Sequence, residues 1–170
     1  MNTYITALRP ALRLIVSGLA VAVATVGLTT VAAPANAAET TSSAVMSMGS
    51  GTYESKVQYF VNQKRAKRGL PKLRLESCTD GTAERWAKHL AEKDAFYHQD
   101  MGTILDKCNA YYAGETLGRG AISPHRLVVM WMNSPAHKNV LLSRHARRIG
   151  VGSYIDSHGQ WVTAANFTKF

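Results

Sequence analysis

The chain has 170 residues, with 20 Lys or Arg against 11 Asp or Glu, and a formal net charge of +9 with histidine neutral. That length is enough for one domain with its own core. The positive surplus suits an anionic cell-wall or membrane surface, or serves solubility alone; nucleic acid is not an expected partner, because no recognisable nucleic-acid-binding motif accompanies it.

The N-terminal stretch has the layout of a secretory leader. Arg9 and Arg13 precede an apolar run from Leu14 to Leu28, broken by Ser17, Gly18 and Gly27, and Ala35-Asn-Ala37 provides a small-residue cleavage site. Residues 1–37 are therefore expected to be a signal peptide, and the protein to be secreted. Residues 38–52 are rich in Ala, Thr, Ser, Met and Gly without periodicity and read as a flexible leader. The domain proper is expected over 53–170. No other segment is apolar enough to span a bilayer.

The first predicted helix runs from Tyr53 to Arg68, with Val57, Phe60 and Val61 on one face, Gly69 as its stop and Pro71 beyond it. Thr79 to Ala95 is the clearest helix. Ala83, Trp86, Ala87, Leu90 and Ala91 repeat at three and four, and Glu84 with Lys88 forms an i,i+4 pair on the opposite face. A polar turn over 96–100 carries His98, and Met101 to Leu105 reads as a short helix. Tyr111 to Glu115 is a loop or short strand.

Ser123-Pro124 opens a helix to Met132, with Leu127, Val128, Met130 and Trp131 as its apolar face. Ser134-Pro135 repeats the start signal: a serine able to accept from a free N–H, then a proline whose missing N–H costs nothing at the first helical position. His137 then falls in a first helical turn, where the positive end of the helix dipole disfavours an imidazolium. Ile149–Ile155 and Gln160–Phe167 alternate like two strands about a turn at Ser157-His158-Gly159. Helices plus a late hairpin suggest an α+β domain on a mainly antiparallel sheet.

Two cysteines, Cys78 and Cys108, in an exported chain argue for one disulfide. A loop of that length would stabilise the fold by about 3–4 kcal/mol in the chain-entropy account. Two basic clusters stand apart in sequence. Lys64, Arg65, Lys67, Arg68, Lys72 and Arg74 surround the end of the first helix, and Arg144, Arg147 and Arg148 precede the first late strand.

Trp131-Met-Asn-Ser134-Pro-Ala-His137-Lys-Asn-Val-Leu141-Leu142 followed by Ile149-Gly-Val-Gly152 resembles the bacterial branch of the CAP superfamily (cysteine-rich secretory proteins, antigen 5 and pathogenesis-related 1 proteins; the SCP domain). Asn62-Gln-Lys-Arg65 with Gly69-Leu70 and Leu73, His98 after a helix, and Gly114-Glu115 extend the resemblance over roughly residues 55–170. It implies a three-layer α-β-α sandwich with the 149–167 hairpin at its centre. It also implies a cleft lined by His98, Glu115, Ser134 and His137, in which His98 and His137 hold zinc or another divalent metal, weakly. Two histidines and a glutamate can hold zinc with water in the fourth position. The chain departs from the eukaryotic pattern at Ser134, where a second glutamate stands, and at Thr116, where an asparagine stands. The lost acid leaves less negative charge to retain a cation.

The implied function is a binding module for a metal or a small polar or lipidic ligand; sterol and fatty-acid binding occur among eukaryotic members. One alternative is an extracellular hydrolase, acting through metal-bound water or through Ser134 with His137 and Glu115. No G-x-S-x-G elbow or H-E-x-x-H motif accompanies that reading, so the balance is against an enzyme. The other alternative is a basic cell-surface adhesin. His89, His125, His145 and His158 read as surface residues.

Overall fold

A computed structural model describes residues 43–170. The expected signal peptide and the first five leader residues lie outside the described residues. From Ser50 the order is α1 (Ser50–Ala66), β1 (Arg74–Leu75), α2 (Ser77–Glu92), α3 (Met101–Cys108), β2 (Tyr112–Gly120), α4 (Pro124–Asn133), α5 (Pro135–Leu141), β3 (Arg148–Ile155) and β4 (Trp161–Lys169).

The sheet order is β1-β3-β4-β2. The β3–β4 hairpin is central and antiparallel, β2 pairs antiparallel with β4, and β1 pairs parallel with β3 through two residues only. The sheet is thus mixed, with antiparallel pairing dominant. At the hairpin turn the Asp156 carboxylate accepts from the N–H groups of His158 and Gln160, and Gly159 takes a left-handed φ of 70°.

Alternation along β4 divides the core into two layers. Trp161, Ala165 and Phe167 pack with Tyr53, Val57 and Val61 of α1 and with Leu127, Val128 and Trp131 of α4. Val162 and Ala164 pack with Ala83, Ala87 and Leu90 of α2 on the other face, together with Leu117 of β2. Helices cover both faces, which makes the α-β-α sandwich.

The structure moves several predicted features. α1 starts at Ser50, and Val45, Met46 and Met48 pack against the larger cluster while Val45 accepts from Trp161 Nε1, so the described end of the expected leader joins the domain. β2 has nine residues rather than a short segment at 111–115. Glu115, Thr116, Leu117 and Gly118 are buried in succession, because helices cover both sides, and no period-2 pattern marks them. β1 has two exposed residues and no apolar signal. Met130 of α4 is 48% exposed rather than core, and Trp86 is half-buried against Tyr97.

The predicted Glu84–Lys88 pair is replaced by Lys88–Glu92 at 3.6 Å. Glu84 instead faces Glu54, for a reason that lies in the sheet edge. Beyond its two residues β1 no longer covers β3, and the exposed N–H groups of Val151 and Ser153 need acceptors. Asp80 Oδ1 accepts from Val151 N at 2.9 Å and Glu54 Oε1 from Ser153 N at 2.7 Å. Burial, then the charges of Glu84 and Asp80, push the Glu54 carboxyl up to about 7, and burial followed by Asp80 raises Glu84.

A carboxyl whose proton is held more tightly in the folded state stabilises most below its unfolded pKa, and that contribution is lost as pH rises through about 7. Glu54→Gln keeps an oxygen acceptor for Ser153 N–H but does not titrate. Its thermal unfolding is expected to be flatter than wild type between pH 5 and 8, and above pH 7.5 the variant should be the more stable by about 1–2 kcal/mol. Parallel stability–pH curves for the two proteins would refute this.

Candidate functional site: two histidines beside strand β2

The turn after α2 is pinned at both ends. Asp94, with φ 46°, bonds Arg119 Nη1 at 2.9 Å and His158 at 3.2 Å, and Trp86 Nε1 donates to Tyr97 O. Asp100 caps α3 through the N–H groups of Gly102 and Thr103. The Cys78–Cys108 disulfide then ties the first turn of α2 to the last residue of α3, as the cysteine pair predicts. His98 and Gln99 are held between these anchors.

Glu115 lies opposite Asn166 in the β2–β4 register, on the face that α2 covers. Its carboxylate is 1% exposed and fully engaged. Oε1 accepts from Gln99 N at 3.2 Å and Oε2 from Gln99 Nε2 at 2.6 Å. Gln99 Nε2 also reaches Asn166 Oδ1, and Asn166 Nδ2 donates to Thr82 Oγ1 at 3.0 Å. With Glu115 accepting from every other partner, the hydrogen in its 2.6 Å bond to His98 sits on His98 Nδ1. The lone pair of a neutral His98 is therefore on Nε2, in a ring that is 59% exposed.

His137 arrives from the opposite side. Ser134 ends α4 and starts α5, Pro135 occupies the first turn, and α5 packs on β2. Gly114 permits this approach: a Cβ there would stand 3.2 Å from Val140 Cγ1. His137 is half-buried, and burial, then the charge on His98, lowers its pKa below the usual histidine value. The imidazole is therefore neutral at pH 7, with a lone pair available.

His98 and Glu115 are thus joined directly, and His137 is coupled to His98 electrostatically. Ser134 is not part of the set. Its hydroxyl makes no cap bond, against expectation, and no bond to His137 among the described residues, so the serine–histidine contact of a hydrolytic triad is not formed. Nor do three His, Cys, Asp or Glu side chains converge as metal ligands among the described residues. Glu115 is spent as a hydrogen-bond acceptor, which leaves the two imidazoles as the donors. Gln99, Asn166 and Thr82 were not predicted; only the register that places Asn166 beside Glu115 reveals them.

The other histidines have local partners. His89 stacks on Trp86 and bonds the Tyr97 hydroxyl, His125 meets the Phe60 ring, and His145 lies near Tyr112.

The profile of the cysteine-rich secretory protein family, CAP, matches residues 58–167. The chain belongs to that family. It is 30% identical over 136 residues to the protein YkwD of Bacillus subtilis, an alignment covering 76% of this chain and 52% of that protein, so the chain spans about half the length of this curated relative. An extracellular SCP-domain protein of Bacillus anthracis superposes with a TM-score of 0.62 at 21% identity, over 71% of this chain and 41% of the other. A cysteine-rich secretory protein of Staphylococcus aureus gives 0.63 at 19% identity, over 73% and 40%. An outer surface protein of Borrelia burgdorferi gives 0.59 at 24% identity, over 66% and 88%. These structures share the fold.

Proposed function

We propose that this is an exported CAP-domain binding protein whose His98–His137 pair takes a divalent metal, and with it or in its place a small polar or lipidic ligand. Export is supported by the basic, apolar and small-residue order of residues 1–37 and by relatives described as extracellular or outer-surface proteins.

The observation that carries the binding reading is the 2.6 Å bond from His98 Nδ1 to buried Glu115. A carboxylate fixing one ring nitrogen orients the other and raises its basicity, the support that ligating histidines commonly receive. The neutral His137 supplies the second nitrogen donor. The donor set fits zinc or a similar borderline cation, with water or ligand atoms completing the shell, and only two protein ligands make the site weak. A bound cation would polarise a ligand oxygen as a Lewis acid. Glu115 holds His98 in place throughout, and Gln99 holds Glu115.

Zinc titration of the protein by calorimetry at neutral pH tests this. One-to-one binding is expected, abolished by His98→Ala and by His137→Ala and weakened about tenfold by Glu115→Gln. Acidification through the histidine range should release the metal. Binding that survives both histidine variants would remove this assignment.

A further inference from the structure

The two basic clusters separated in sequence meet in space. Parallel pairing of β1 with β3 sets Arg74 directly opposite Arg148. Lys72 and Arg147 flank that pair, and the four side chains with Pro71 and Phe170 line an open cleft of about 330 Å³. No carboxylate lies within ion-pairing distance of any of the four among the described residues, whose ion pairs all fall elsewhere. Like charges directly opposite on neighbouring strands destabilise a sheet. Protecting an edge strand from pairing with another chain requires no such convergence. Arg147 is also oriented: Nη1 donates to Arg144 O at 2.6 Å and Ala146 O at 2.9 Å, which leaves the rest of its guanidinium fork for another acceptor. Arg65 lies fully buried behind the cleft, bonded to the Ala146 carbonyl, and adds positive charge there.

We propose that this cleft, on the β1–β3 side of the sheet and separate from the histidine pair, binds a phosphoryl anion. Three guanidinium groups and an ammonium suit the several oxygens of a phosphate ester or phosphodiester, because guanidinium forks bond such oxygens in pairs. Pro71 and Phe170 form an apolar wall against which the carbon side of an ester can lie. The same chemistry is carried by a soluble phosphate compound and by a phospholipid headgroup.

Two arms separate these sources. The first is calorimetric titration with inorganic pyrophosphate at fixed ionic strength. The second is co-sedimentation with vesicles of phosphatidylglycerol in phosphatidylcholine, against phosphatidylcholine alone. Arg74→Gln combined with Arg148→Gln is expected to weaken binding at least tenfold while leaving the unfolding temperature unchanged or raised, since a like-charge pair is removed. Lys72→Gln with Arg147→Gln should have the same effect on binding and serves if the first pair folds poorly. Lys56→Gln with Lys93→Gln, exposed cations elsewhere, should change binding less than twofold. Saturable binding in either arm that is lost with the cleft arginines supports the site, and the arm that binds names the source. No saturable binding in either arm, or an equal loss with the remote lysine pair, overturns it.

Discussion

Gly150→Ala is expected to destabilise the domain by about 3 kcal/mol or more, read as a fall in the urea midpoint. Gly150 and Gly152 are the glycines of Ile149-Gly-Val-Gly152, and both lie beneath α2. A Cβ on Gly150 would sit 2.3 Å from Asp80 N and Cα, and one on Gly152 would sit 2.4 Å from Glu84 N and Cα. These contacts are to backbone, so no side-chain rotation relieves them. α2 must lift from the sheet, breaking its packing with Val162, Ala164 and Leu117. The Asp80 bond to Val151 N–H would stretch with it. α2 also anchors Tyr97, next to His98, through Trp86. For the metal site proposed above, any Gly150→Ala protein that folds is expected to show a lower zinc affinity than wild type. An unchanged urea midpoint would show that α2 does not rest on the strand backbone as described.

Arg65→Ala is expected to cost about 3–5 kcal/mol, measured by the same unfolding experiment. Arg65 is fully buried and donates to four carbonyls: Nε to Pro71 at 3.0 Å, Nη1 to Leu141 at 2.8 Å and Ser143 at 3.0 Å, and Nη2 to Ala146 at 3.4 Å. It replaces backbone pairing for the irregular chain between α5 and β3. Alanine would leave these carbonyls without a donor and a cavity where the guanidinium was. Lysine would not rescue the loss, because one ammonium cannot reach the spread of acceptors that a planar fork serves. Asn62, three residues earlier, makes the complementary clamp on Leu73, accepting from its N–H at 2.8 Å and donating to its carbonyl at 3.0 Å. Together they explain Asn62-Gln-Lys-Arg65 as structural: one turn of α1 organises two loops. A wild-type unfolding midpoint for Arg65→Ala would contradict this account.

Helices with an apolar stripe were legible because the 3.6-residue period survives in the sequence. Ala83, Ala87, Leu90 and Ala91 of α2 are all buried as the spacing predicts. The central hairpin was legible from its turn and its apolar strands. Caps were read less well. Ser123 caps α4 as expected, whereas Ser134 occupies the cap position without making the bond, and Glu76 starts α2 two residues early by accepting from Cys78 and Thr79 N–H. A glutamate is a rare cap, and propensity gives it little weight. β2 and β1 were the least visible, one buried on both faces and the other exposed at an edge.

The histidines, Glu115 and the cysteine pair were identifiable as residue types in a recognisable order, because such motifs are local and survive in sequence. The sequence by itself determined that the chain carries a CAP domain, with one cysteine pair and a strong positive charge. Only the tertiary structure decided what those residues do to one another. It bonded Glu115 to His98 and Gln99, and it turned Glu84 away from Lys88 toward Glu54. It also set Arg74 beside Arg148 and seated α2 on two glycines. Each of these depends on strand register and on helix-to-sheet distance, which arise from packing between segments far apart in the chain and leave no periodic mark on either segment alone.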